Sequence, residues 1–181
     1  MKKILLVVVA MLCVATVSAQ SKFESTVKTT AKAIASQKWS VGLRLGSTVE
    51  AVAECFYSDK AYIEGRFGMT ALFSSSNAPV AADFTVLHNW NCCTMDWTPS
   101  AGQWFFDAGV GLSVGGGAHT AYVGVAGSAK LGIKFNSAPV RLSIDWTPVF
   151  GPGFVYGGGY TGVGFPTLNI ANFGLTAAYC F

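Results

Sequence analysis

The chain has 181 residues, of which 51% are hydrophobic, only 12% are charged and 21 are glycine. Soluble domains carry about 25% charged residues, so this composition argues against a surface that lies wholly in bulk water, and the length allows one folded domain. Twelve Lys/Arg against nine Asp/Glu give a formal charge of +3, which makes no electrostatic case for nucleic acid as a partner.

Lys2 and Lys3, the apolar run from Ile4 to Leu12 and the small-residue site Val17-Ser18-Ala19 predict a signal peptide over residues 1–19, cleaved before Gln20. The run is shorter than the ~18 residues a membrane helix needs. Cys13 is not preceded by the small residues of a lipidation site. Without Lys2 and Lys3, ten bases face nine acids and the formal charge falls to +1. Residues 20–38 form a separate segment, expected in the periplasm. Phe23, Val27, Ala31 and Ile34 recur in it at helical spacing among Lys22, Glu24, Lys28, Lys32 and Lys38. It reads equally as a short amphipathic helix or as a disordered leader.

From Trp39 onward the apolar period is two, the signature of strands with one oily face. Eight strands follow in order. The first sets Trp39, Val41, Leu43 and Leu45 against Ser40, Gly42 and Arg44. The second sets Val49, Ala51, Ala53, Cys55 and Tyr57 against Glu50 and Glu54; the third sets Ile63, Phe67 and Met69 against Glu64, Arg66 and Gly68. The fourth begins with Phe84, Val86 and Trp90 outward of Asp83, Thr85 and Asn89. Its parity then slips near Cys92-Cys93, since Met95 and Trp97 read as apolar-facing, and a β-bulge would do this. The fifth runs from Trp104 to Val114, the sixth from Val123 to Phe135, the seventh from Val140 to Thr147 and the eighth from Ala171 to Phe181, each alternating. The fold class expected is therefore an all-β, antiparallel, up-and-down eight-stranded barrel over residues 39–181.

Alternation does not say which face is outside. The polar face mixes Gly, Ser and Thr with long charged side chains, which suits the narrow interior of an eight-stranded barrel. Short connections such as 58–60, 98–102 and 136–139 alternate with long ones such as 74–82 and 151–168, although the 46–48 link is short. Trp39, Tyr57, Trp97, Trp104, Phe135 and Tyr179 fall at strand ends on the short-turn side, as an aromatic girdle would. Phe73, Phe84 and Trp146 are candidates for the opposite ring.

The chain ends Tyr179-Cys180-Phe181 after an alternating strand. With the export signal and the eight segments, this resembles the small outer-membrane β-barrels of Gram-negative bacteria, the OmpA/OmpX type. The stretch LGIKFNSAPVRLSIDWTP, Leu131 to Pro148, looks like the sixth and seventh strands of that family. The resemblance covers residues 39–181 and implies a transmembrane β-barrel set in outer-membrane lipid and lipopolysaccharide. It also implies that Phe181 is the signal read by the barrel-assembly machinery during insertion. The family offers no catalytic residues to carry over, so the function expected is structural or surface-interacting. A narrow porin-like channel is the alternative, an outer-leaflet lipid-modifying enzyme comes third, and a secreted soluble binding barrel fourth.

Simple hairpin registers set Arg44 opposite Glu50, Arg66 diagonal to Glu54, and Lys130 opposite Asp145 with Asp107 nearby. These seven residues are expected to form an ionic network filling the lumen, because an unpaired buried charge costs several kcal/mol. The two histidines, His88 on the apolar face of strand four and His119 in a link, have no triad spacing to Ser74, Ser75 or Ser76. Cys55, Cys92, Cys93 and Cys180 show no C-x-x-C spacing, so neither metal nor cofactor is expected. Loop 151–168, with Phe154, Tyr156, Tyr160 and Phe165 and no charge, is where an extracellular ligand would bind: protein, glycan or lipopolysaccharide. It equally suits folding back over the barrel mouth.

Overall fold

A computed structural model of the chain describes residues 37–69, 81–157, 160–164 and 170–181. The signal-peptide stretch, most of the 20–38 segment, Phe73, Ser74–Ser76 and Phe165 lie outside them. Among the described residues there are eleven strands: β1 Trp39–Leu45, β2 Val49–Ser58, β3 Ala61–Met69, β4 Ala82–Met95, β5 Gly102–Gly116, β6 Thr120–Phe135, β7 Val140–Trp146, β8 Val149–Phe150, β9 Gly153–Gly157, β10 Tyr160–Gly164 and β11 Phe173–Cys180. Among the described residues there is no helix.

Strands β1 to β6 each pair antiparallel with the next, β7 pairs with β11, and β11 returns to β1. The result is a closed eight-stranded barrel. Closure gives the strands of the ring a neighbour on both sides. The register is regular except at two places, between Phe56 and Ser58 and between Asn91 and Cys93. The second is the bulge expected from the parity slip: Asn91 faces Asp107, Cys93 faces Phe106, and Cys92 is the extra residue.

The long connection after β7 departs from the expected loop. Val149–Phe150 pairs with Val125–Ala126 of β6, and Gly153–Val155 pairs with Tyr122–Thr120. Tyr160–Gly164 then lies along β9. Residues 149–157 and 160–164 therefore extend the barrel wall beside β6. Alternating Gly with Phe, Val, Tyr and Thr supplies enough β-formers to hold this extra sheet.

The radial order is inverted relative to a water-soluble barrel. Leu43 is 56% exposed and Ile144 62%, whereas their neighbours Arg44 and Asp145 are 0% and 1% exposed. The same alternation runs unbroken along β11, from Phe173 exposed to Cys180 buried. What apolar packing the interior has is local. Leu87, Ala126 and Val149 cluster with Tyr122 toward the end carrying the long connections. At the short-turn end, the rings of Phe56, Tyr62 and Phe105 surround the Arg141 guanidinium at 4.9, 5.2 and 4.3 Å.

Candidate functional site

Alternate positions on neighbouring strands bring nine ionisable side chains into the lumen, all 8% exposed or less. They form one alternating chain of acid and base. Glu50 binds Arg44 at 2.8 Å, and Arg44 binds Asp145 at 2.7 Å. Asp145 meets Arg66 at 3.4 Å, and Arg66 binds Glu64 at 2.6 Å. Glu64 holds the Lys130 ammonium, which also reaches Glu54 at 3.2 Å. Glu54 binds Arg141 at 3.1 Å, and Arg141 ends the chain on Asp107 at 3.0 Å. Arg66 also approaches Glu50 at 3.8 Å, closing a small ring at the end nearer the long connections.

Neutral donors fill the lone pairs the bases leave. The Ser40 hydroxyl donates to Glu54 Oε2. Thr48 donates to Glu50 at 2.8 Å, Asn89 to Glu64 at 2.7 Å and Thr176 to Asp145 at 2.8 Å. Tyr62 and Asn91 both donate to Asp107 at 2.8 Å. Such partners matter in a charged interior, because removing one partner of a buried pair costs about 3–5 kcal/mol; Arg66 Nη2 and Asn89 Oδ1 are buried without one.

All seven residues of the expected network are in this chain, and the registers Arg44–Glu50 and Lys130–Asp145 hold. Arg66 is also diagonal to Glu54, as expected, since Glu64 lies opposite Glu54. The contacts differ from these positions: Arg66 bonds Glu64 and reaches Asp145 across the lumen. Lys130, opposite Asp145 in the ladder, sends its ammonium to Glu54 and Glu64 instead. The cause is width: an eight-stranded interior brings opposite walls within reach of long side chains, so the register partner competes with residues on the far wall. Glu64 and Arg141 were legible as inward by parity, but their central place was not, since ladder arithmetic pairs only adjacent strands.

The remaining candidates lie apart. Trp39, Tyr57, Trp97 and Tyr179 are exposed at strand ends by the short turns, with Trp104 packed on Trp97 at 5.3 Å and Phe135 half-buried beside them. Phe181 is 60% exposed and exchanges backbone hydrogen bonds with Trp39. At the other end Trp146 stacks on Phe173 at 6.2 Å, and Phe84 is exposed. His88 lies on the outer wall, where its Nε2 shares a hydrogen bond with the Tyr57 hydroxyl. That contact places it toward the short turns. His119 sits in the β5–β6 link, at the opposite end of the barrel. Cys55, Cys92, Cys93 and Cys180 are free thiols. Among the described residues no three His, Cys, Asp or Glu side chains converge as metal ligands.

No protein-family model matches the chain, and neither a curated protein nor a solved structure matches it.

Proposed function

We propose that this chain is an integral outer-membrane β-barrel whose role is structural or surface-interacting, with a lumen closed by its ionic chain. One observation carries the reading: the oily side chains of a closed barrel face outward while its charges face the axis. In water that order forfeits the hydrophobic stabilisation of about 25 cal/mol per Å²; in hydrocarbon it is the favourable one. The girdle residues at the short-turn end and Phe84, Trp146 and Phe173 at the other mark the two faces of the belt, and the residues between them form the span. The short turns then face the periplasm. Lipid and lipopolysaccharide surround the belt, Phe181 serves the assembly machinery, and an extracellular ligand meets the wall built by 149–157 and 160–164. The reading includes no catalysis.

The test is fractionation of the envelope of a producing cell, combined with planar-bilayer recording of the refolded protein. Outer-membrane recovery with a gel mobility that changes on boiling, and no steady conductance, is expected. Recovery in the soluble periplasm would overturn the membrane assignment, and large steady single-channel currents would overturn the closed lumen.

A further inference from the structure

One carboxylate at the long-connection end stands outside the ionic chain. Asp83 makes no ion pair among the described residues. It belongs to a row that crosses five strands in register: Glu50, Gly68, Asp83, Gly115 and Tyr122. The two glycines make the row possible. A Cβ on Gly68 would lie 2.2 Å from the Asp83 carboxylate oxygens, and one on Gly115 would lie 2.5 Å from the Tyr122 ring. The acid therefore lies flat over the bare backbone of Gly68, and the aromatic ring over that of Gly115.

A cavity of about 140 Å³ opens there, lined by Asp83, Tyr122, Thr48 and Thr120 with Ala81, Ala82 and Gly116. That is several times the ~30 Å³ share of one liquid water. Its wall is mostly apolar, with one carboxylate, three hydroxyls and one aromatic ring. Too few oxygens converge for calcium, which takes six to eight.

Among the described residues no Lys or Arg pairs with this acid. The β1–β2 link 46–48 holds no charged residue, and the β5–β6 link 117–119 holds His119 as its one titratable group. From below, Arg44 and Arg66 are engaged by Glu50, Asp145 and Glu64. The ionic chain itself begins and ends on a carboxylate, five acids to four bases, so it has no base to spare.

We infer that the cavity at Asp83 and Tyr122 is a binding seat for a primary ammonium group carried on a short apolar stem. The carboxylate takes the charge, the tyrosine ring offers its face to the cation, and the alanines contact the stem. The ammonium comes either from a small soluble amine or from an aminated lipid headgroup.

Asp83 precedes Phe84 and stands beyond the belt, and its carboxyl is pushed up to about 6 by desolvation and then by Glu50, with Arg44 and Arg66 opposing. Tyr122 faces it from β6 and stays neutral, while β5 contributes the glycines Gly115 and Gly116 there. Binding of an ammonium requires the ionised acid, so affinity is full near pH 8 and falls as pH drops through about 6.

The experiment titrates n-propylammonium chloride into the folded barrel in amine-free detergent, with saturation-transfer NMR as the readout and n-propanol as the uncharged control. It does not depend on the membrane assignment. Saturable binding of the amine alone is expected, weakened about tenfold in D83N, in line with the loss of a charge-assisted hydrogen bond, and several-fold in Y122L. Circular dichroism checks that each variant folds, and Y122L keeps the test open if D83N does not. Equal binding of propanol, unchanged binding in both variants, or no saturation by the amine overturns the proposal. Repeating the titration in bilayers of phosphatidylethanolamine and of phosphatidylcholine separates the sources: competition only by the former assigns the seat to a lipid ammonium, and competition by neither assigns it to a soluble amine.

Discussion

Arg44 joins Glu50 and Asp145 at 2.8 and 2.7 Å, and the next base, Arg66, stands at 3.8 and 3.4 Å from those acids. Replacing Arg44 with Met removes the closer partner of both. We expect R44M to lose about 3–5 kcal/mol of stability, read from urea unfolding of the barrel in lipid vesicles. The double variant R44M/E50Q removes one of the stranded charges and recovers part of the loss. At this scale the sequence was informative about side and silent about partner. Parity put Glu64, Lys130 and Arg141 on the inner face. Which acid Lys130 holds depends on the distance across the lumen, and that distance follows from strand number and stagger, which no local pattern states.

The strands themselves were legible wherever one face is oily and the other is not. The fourth is the instructive case. A single parity slip at Cys92-Cys93 located the bulge, because an unbroken strand would have buried Met95 and Trp97 on the charged side. Cys92 is the residue left over, so deleting it leaves Asn91 opposite Asp107 and Cys93 opposite Phe106. The deletion variant should fold with a loss of about 1 kcal/mol or less. One alanine inserted after Leu87, where the register is regular, should instead prevent folding by turning the rest of β4 inside out. Gel mobility before and after boiling distinguishes the two. Strands β8 to β10 were not legible. Val149 to Gly164 holds Gly151, Gly153, Gly157, Gly158, Gly159, Gly162 and Gly164 with Pro152, which reads as a loop, and the neighbouring β6 backbone supplies the order that propensity lacks.

For the molecule as a whole, the inverted radial order makes a prediction that no soluble barrel shares. Ile144 is the most exposed residue of β7. Its replacement by Lys would be nearly neutral on a wet surface. In a bilayer it should cost about 2–4 kcal/mol if it lies near mid-belt, again by unfolding in vesicles, while Tyr156→Lys on the extended wall should cost little. The architecture was the most legible level of all, since eight alternating segments with few charges between them leave a closed ring as the arrangement that satisfies every backbone group.

That ring is sealed by the two ends of the chain. Val41 lies beside Tyr179, and Leu45 beside Leu175, so the first stave waits for the last before either has a neighbour on both sides. A nascent polypeptide stopped anywhere before residue 173 carries two raw margins and an oily flank, the ingredients of precipitation. Completion of the ring thus waits on the arrival of β11, a demand written into the topology.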